Sequence, residues 1–437
     1  MTKKKKNQWV TALVANEKGE IFDLEGYGAV GMEGTCFTPL RVKDTVKVPF
    51  GGELMFLPDR NPIVFNIEKD VIEILDENPY VPGEPIFPVA AFNSPGYVIT
   101  YNSAYQDAPD QPPLPLFSYG AAGWHGDDFR SAVVQVDKEK RQDLRLMPRE
   151  KVVEGVSRLS KKLSKNRLLR HIENCALVYG CPAAKNFFIG RYEAPLPTSN
   201  TCNARCLGCI SLQASGRVSN CQDRISFTPT SREIAEIALE HIKKVQKGVV
   251  SFGQGCEGDP LLAWKASLPA IERIRQETTR GTINMNTNGS RPDIITKLFD
   301  AGLDSIRVSV NSFRKACYDA YFNPQGYSFE DVLQTIHIAI QKGRFVAINY
   351  LNCPGVTDTP EEMEALQSFL HTYPVNMIQW RNLNYDPLRY YGIMGKVDEQ
   401  GPPMGMAVLI NRLRNMFPEL IHGYFNPPKE RFALAGR

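Results

Sequence analysis

The run Thr201-Cys-Asn-Ala-Arg-Cys-Leu-Gly-Cys-Ile210 sets Cys202, Cys206 and Cys209 at the spacing C-x3-C-x2-C. From one short loop, three thiolates at this spacing can face a single point. Three protein ligands on a four-iron cluster leave one iron open to a substrate or cofactor. A structural zinc module closes with four ligands, and no fourth Cys or His follows at its spacing. The loop therefore reads as a reactive iron–sulfur site. An electron-transfer or redox-sensing iron–sulfur protein and a zinc module stand as the alternatives.

Outward from this loop the chain alternates apolar strand-like runs with amphipathic helices. Strands are expected at 193–197, 249–252, 282–286, 305–310, 345–351 and 376–380. Helices are expected at 269–277, 293–299, 329–342 and 361–371. One more begins at the capping box Thr230-Ser-Arg-Glu233, runs through Ile234, Ile237, Ala238 and Ile242, and ends near Gly248. This alternation implies a parallel sheet. In such barrels chemistry gathers at the C-terminal strand ends, and the cysteine loop follows the first strand.

Four further runs sit at strand ends. Ser251-Phe-Gly-Gln-Gly-Cys-Glu-Gly-Asp-Pro-Leu-Leu262 is rich in glycine, which lets backbone approach a ligand, and Glu257 and Asp259 offer carboxylates to an ammonium group. Its bland reading is a strand-to-helix turn. Asn286-Thr-Asn-Gly289 reads alone as a common Asn-Gly turn. Arg307-Val-Ser-Val-Asn-Ser312 carries Ser309, which a strand otherwise keeps as a satisfied core hydroxyl. Leu351-Asn-Cys-Pro-Gly-Val-Thr-Asp358 follows the fifth strand, and Arg381 and Asn382, after the sixth, are placed to meet substrate.

In this order, over residues 191–385, the runs resemble the radical S-adenosylmethionine (radical SAM) superfamily. The resemblance implies an α/β fold, a partial (βα)6 TIM-like barrel; the β-rich N-terminal domain that precedes it is read from the punctuation of its own sequence. It implies a [4Fe-4S] cluster on Cys202, Cys206 and Cys209 whose open iron chelates the amino and carboxylate groups of SAM. It assigns Gly253, Gly255, Glu257, Gly258 and Asp259 to the segment binding the SAM amino group. Thr287 and Asn288 fall to its ribose or carboxylate, and Ser309 to its methionyl end. Reductive cleavage of SAM to a 5′-deoxyadenosyl radical, followed by hydrogen abstraction from a substrate, is the activity it implies. The implied partner is a one-electron donor such as a flavodoxin or ferredoxin. The substrate stays open among a peptide or protein side chain, a metabolite and a nucleoside, and no catalytic residue is assigned. No cobalamin-binding fingerprint is present. Two departures stand out. Gly208 occupies the place of an aromatic residue expected near the adenine, leaving Ile210 or Leu212 for that packing, and Asn311 replaces an Asp.

The organisation expected is a β-rich accessory domain over residues 1–147, a helical connector over 148–190, the barrel over 191–385 and a tail over 386–437 that closes it. The first part has short alternating runs at 10–14, 53–57, 63–67, 96–101 and 132–136, broken by Gly, Pro, Asn and Asp. The prolines of 107–115 read as a surface loop. The connector repeats Val152, Val156, Leu159, Leu163, Leu168 and Leu169 on one side. A helix is expected near 404–416, and Arg389, Tyr390 and Tyr391 read as packing and surface.

With 43% apolar and 23% charged residues the 437-residue chain is of soluble, globular composition. A net charge of +3 gives no strong field for nucleic acid or an acidic membrane, and the basic run Lys3–Lys6 reads as a solvated end. No apolar run is long enough to span a bilayer. Ten cysteines without a secretory signal point to a reducing, cytoplasmic setting and an oxygen-sensitive cluster. Cys175, Cys181, Cys221 and Cys256 lack a cluster spacing; a second cluster, or a catalytic thiol at Cys256, stays open beside buried small side chains. Cys36, Cys317 and Cys353 read as structural, and no pair of the six histidines has metal-ligand spacing.

Overall fold

The computed structural model describes residues 8–107, 110–213, 216 and 218–436, so the Lys3–Lys6 reading lies outside the described residues. The N-terminal region is an antiparallel β-structure that closes on itself. Its ring comprises β1 (Thr11–Ala15), β2 (Ile21–Glu33), β3 (Phe87–Phe92), β4 (Asn102–Ser103) and β5 (Gly120–His125). β1 pairs with β2 and β3, β3 with β5, β5 with β4, and β4 returns to β2. Closure removes the exposed edges that an open sheet would present. β2 was not expected from the sequence. Its glycines weaken the strand signal, yet one of them is what the ring needs: a Cβ on Gly31 would lie 2.6 Å from the ring of Tyr101. Inside lie Val30, Met32, Phe65, Ala90, Tyr105 and Tyr119.

Helices α1 (Arg149–Lys162), α2 (Arg167–Leu177) and α3 (Pro182–Ile189) follow. Their apolar stripe, Val152, Val156, Leu159, Leu168 and Leu169, is buried as the periodicity predicts. The Thr230–Glu233 capping box forms, with the Thr230 N–H on Glu233 Oε2 at 2.8 Å. Arg167 Nη2 also donates to Glu233 Oε2, at 2.8 Å, which ties α2 to the next helix, α4 (Ser231–Lys244).

The second sheet is parallel and runs in chain order through β6 (Glu193–Pro195), β7 (Val249–Phe252), β8 (Thr282–Thr287), β9 (Ser305–Val310), β10 (Phe345–Asn352), β11 (Met377–Asn382) and β12 (Ile421–Gly423). It is a half-barrel of seven strands where six were expected, because the chain end returns to pair β12 with β11. Strand residues such as Val250, Ile283, Ile306 and Ile348 are buried on the helix-packed face. Helices α4, α5 (Trp264–Glu277), α6 (Pro292–Asp300), α8 (Phe329–Gln341) and α9 (Pro360–Thr372) connect successive strands. Two helices were not foreseen. α7 (Lys315–Phe322) is short and buries Cys317, Tyr318, Tyr321 and Phe322, which blurs its periodicity. α10 (Pro387–Val397) starts at the Asp386 cap with Pro at its first position. α11 (Met406–Met416) precedes β12.

Both ends of the half-barrel are covered. At the C-terminal strand ends, Asn382 Oδ1 accepts from Ile99 N at 3.0 Å while its Nδ2 donates to Tyr97 O at 2.9 Å. Nearby, Tyr105 Oη donates to Asp386 Oδ1 at 2.9 Å. A Cβ on Gly355 would lie 2.2 Å from Gly34 N, so the two regions touch backbone to backbone. At the opposite end, Asn426 Nδ2 donates to Glu193 Oε1 at 3.0 Å and its Oδ1 accepts from Gln379 Nε2 at 2.9 Å.

One contact between the regions is acidic. Burial, and then the charge of Asp358, push the Glu33 carboxyl from 4.5 up to about 8, and burial raises Asp358 as well. Tyr101 lies against both. In the folded chain this pair therefore keeps a proton that the unfolded chain loses. Such stability is fully present below about pH 4.5 and is lost as pH rises through about 8. The thermal midpoint is expected to fall between about pH 4.5 and 8, and to fall less in Glu33→Gln; an equal fall in both proteins contradicts this.

Candidate active site

The loop after β6 carries the three cysteines, each half-buried. Its shape is imposed from α7: Arg205 N donates to Phe322 O at 2.8 Å and Leu207 N to Tyr321 O at 3.0 Å. Burial, then the carboxylate of Asp259, push Cys202 up to about 11. Burial, then Cys202 and Cys209, push Cys206 well above its usual range. Three thiols so placed cannot all ionise without a compensating cation, and the donor set fits an iron cluster. Arg224 supplies part of that compensation: its Nη2 lies 3.5 Å from Cys209 Sγ and its Nε donates to Ser211 Oγ at 3.2 Å. No sequence motif marks Arg224. Beside Cys206 and Cys209 opens a cavity of about 750 Å³ rimmed by Arg205, Arg224, Arg389 and Lys396.

Gly208 has a steric reason. A Cβ there would lie 2.7 Å from Asn384 O and 2.9 Å from Tyr321 Oη. The space beside the loop is taken by an aromatic ring that arrives from α7 rather than from the loop. Of the two residues offered for adenine packing, Ile210 lies against Gly255 and Leu212 is 52% exposed.

The two carboxylates do something other than await an ammonium. Glu257 Oε2 accepts from Thr198 N at 2.7 Å and Ser199 N at 2.9 Å; Oε1 accepts from Gly253 N at 2.6 Å and Gln254 N at 2.8 Å. Burial pushes this carboxyl up to about 7 against the pull of those donors. Asp259 Oδ2 accepts from Asn288 N at 2.6 Å, and Oδ1 from Thr287 Oγ1 at 2.8 Å and Leu261 N at 3.0 Å; burial pushes it up to about 6. Each carboxylate is spent on backbone and hydroxyl donors. They fasten the ends of β6, β7 and β8 to one another.

The glycines serve the same closure. At Gly253 (φ +76°) a Cβ would lie 1.8 Å from Asn286 O, and at Gly258 1.9 Å from Thr201 O. Gly255 is filled by Ile210 and Gln222. Asn288 Nδ2 donates to Asn203 Oδ1 at 2.9 Å, so the third turn also touches the cysteine loop. Cys202, Gly258, Asp259, Thr287 and Asn288 thus belong to one knot. Ser309 stands apart in the half-barrel interior, accepting from Asn349 Nδ2 at 3.2 Å near Arg307 and Arg381. Asn311 is buried and donates to Cys317 O and Tyr390 Oη, both at 3.1 Å, which an Asp carboxylate in its place would not do. Asn382, expected near substrate, spends its amide on the N-terminal region, and Arg381 Nη2 donates to Tyr424 O at 2.8 Å. Cys36 is exposed rather than structural, whereas Cys317 and Cys353 are buried.

Residues 196–370 match the family model of the Radical SAM superfamily. These residues form a Radical SAM domain within the chain. Members of the radical SAM superfamily use a [4Fe-4S] cluster and SAM. Over 199 residues the chain is 23% identical to the FeMo cofactor biosynthesis protein NifB of Klebsiella pneumoniae, covering 40% of this chain and 41% of that protein. It therefore spans less than half the length of this curated relative. Among solved structures it is similar to Streptococcus suis SuiB bound to precursor peptide SuiA, at TM-score 0.37 and 13% identity over 59% of this chain and 53% of that one. It is also similar to a radical SAM methyltransferase from Sphaerobacter thermophilus, at TM-score 0.38 and 14% identity over 53% and 66% of the two chains.

The Glu257 staple is testable. Glu257→Gln turns an NH2 group toward N–H donors and leaves buried groups unpaired, at an expected cost of about 3 kcal/mol. Chemical denaturation measures it, and a loss below about 1 kcal/mol contradicts the assignment. Iron content after anaerobic reconstitution should fall with it.

Proposed function

We propose that this chain is a radical SAM enzyme that holds a [4Fe-4S] cluster on Cys202, Cys206 and Cys209 and binds SAM beside it. When bound, the cluster supplies the electron that cleaves SAM reductively to methionine and a 5′-deoxyadenosyl radical, which abstracts hydrogen from a substrate. The observation that carries this reading is a three-thiol loop lacking a fourth Cys or His at module spacing, stitched to the next two strand ends by Glu257 and Asp259. The chain's own work is placement. Gly253, Gly255 and Gly258 bring backbone close to the loop, Thr287 and Asn288 line the third turn, and Ser309 waits deeper for the methionyl end. Glu257 and Asp259 act as positioning residues through the backbone they hold.

Charge supports two finer readings. Arg307 and Arg381 face the interior, and Arg307 Nε is buried without a partner, which suits an anionic group on SAM or substrate. The basic rim of the cavity beside Cys206 and Cys209 suits an acidic one-electron carrier such as a flavodoxin or ferredoxin. The β-rich accessory region, residues 1–147, sits on the ends of β10 and β11 and is proposed to control substrate access. Residues 148–190 act as connector, 191–385 carry six strands of the half-barrel, and the remainder supplies its seventh strand, β12, and its closure. Among the described residues no helix is long and apolar enough to cross a membrane. A reducing, cytoplasmic setting suits the free thiols.

After anaerobic reconstitution and reduction, added SAM should yield 5′-deoxyadenosine by chromatography, and Cys202→Ala, Cys206→Ala and Cys209→Ala should each abolish it. An intact cluster without cleavage favours electron transfer instead. Arg224→Gln removes a cationic donor from Cys209 Sγ, so the cluster potential should move negative by tens of millivolts in an EPR-monitored titration. An unchanged potential contradicts that role.

A further inference from the structure

Outside the cysteine loop, three metal-ligating side chains gather among the described residues: His171, Cys175 and Cys256. His171 and Cys175 stand four apart on α2 and so share one face of the helix. Cys256 comes from the turn after β7, far away in the sequence. Their donor atoms all lie within 4.8 Å of one another, and Cys175 Sγ is 3.6 Å from His171 Nε2. A zinc ion bound at its usual Zn–S and Zn–N lengths with tetrahedral angles sets sulfur and nitrogen about 3.6 Å apart. The pair already has that edge length. An iron–sulfur cubane needs its sulfurs spread around a body of several atoms, which this compact set does not offer.

The setting fits an ion. Cys175 and Cys256 are 3% and 5% exposed, whereas His171 is half-buried and gives an entry path. Cys181 lies alongside, its N–H on Cys175 O at 2.9 Å. Cys256 and His171 hold the Cys175 thiol below its usual range, while Cys256 is raised by sharing with Cys175.

We propose that His171, Cys175 and Cys256, with a water as the fourth ligand, bind one mononuclear zinc-type divalent cation, separate from the iron–sulfur loop. Two metal–thiolate bonds and one metal–imidazole bond form, and the two displaced thiol protons go to solvent. The ion pins α2 to the turn that carries Glu257 and Gly258. Gly258 N donates to Ser199 O at 2.6 Å, so the pin reaches the base of the cysteine loop.

The test is metal content and cobalt spectroscopy on the full chain, purified anaerobically. About one zinc per chain is expected in the native protein and in Cys202→Ala/Cys206→Ala/Cys209→Ala, measured by plasma mass spectrometry. Exchange with Co2+ should give thiolate charge-transfer and tetrahedral d–d bands. Both signals should vanish in Cys175→Ser/Cys256→Ser. His171→Ala, which leaves the buried side of α2 intact, should weaken Co2+ binding about tenfold or more; it decides the matter if the double variant does not fold. Folded protein with no uptake, uptake indifferent to His171 and the two cysteines, or a Cys175–Cys256 disulfide found by thiol labelling would each overturn the proposal.

Discussion

The carboxylate of Glu257 is the constraint on which the site depends. It is buried, and it accepts from the backbone N–H groups of Thr198, Ser199, Gly253 and Gln254. Those four groups belong to the ends of two neighbouring parallel strands. In a parallel half-barrel each strand end leaves unpaired backbone donors, and a buried donor without a partner is costly. One carboxylate satisfies four of them at once and fixes where the cysteine loop begins. Asp259 repeats the device one strand further on, taking Asn288 N and Thr287 Oγ1. The glycines between them let the backbones meet, since a Cβ at Gly253 or Gly258 would overlap a carbonyl oxygen.

Much of this was legible in the sequence, for reasons that can be named. The barrel strands read correctly because short β-prone runs recur between helices with strong caps such as Thr230–Glu233. The cysteine spacing and the order of the turn motifs were local, and local patterns survive folding. What failed was long-range. β2 was missed because its glycines serve contacts with Tyr101 and Phe65 that no local pattern encodes. α7 was missed because most of its face is buried. That Glu257 and Asp259 accept from backbone donors of neighbouring strand ends was likewise beyond a local pattern. The proximity of Cys175 to Cys256 was invisible for the same reason, although the four-residue step from His171 to Cys175 was there to be seen.

The two open ends of the half-barrel are closed by different chemistry. The end that carries the cysteine loop meets the N-terminal barrel through hydrogen bonds to Asn382 and Asp386, an ion pair of Arg389 with Asp107, a backbone contact at Gly34 and Gly355, and one acidic pair. The far end is filled by amides and by Glu193, with Asn426 bridging β6 and β11. Between them the interior retains the cationic side chains of Arg307 and Arg381. Burial pushes Arg307 down to about 9, the sign of a guanidinium short of negative partners. The interior enclosed in this way holds positive charge.

The most direct test of the account is the EPR spectrum of the reduced cluster with and without SAM carrying 15N at its amino group. A loop that supplies three thiolates and leaves one iron open predicts a changed spectrum on SAM addition and a resolved nitrogen coupling. A spectrum indifferent to SAM, with no nitrogen coupling, would mean that the cluster is fully ligated by the protein and would contradict the account.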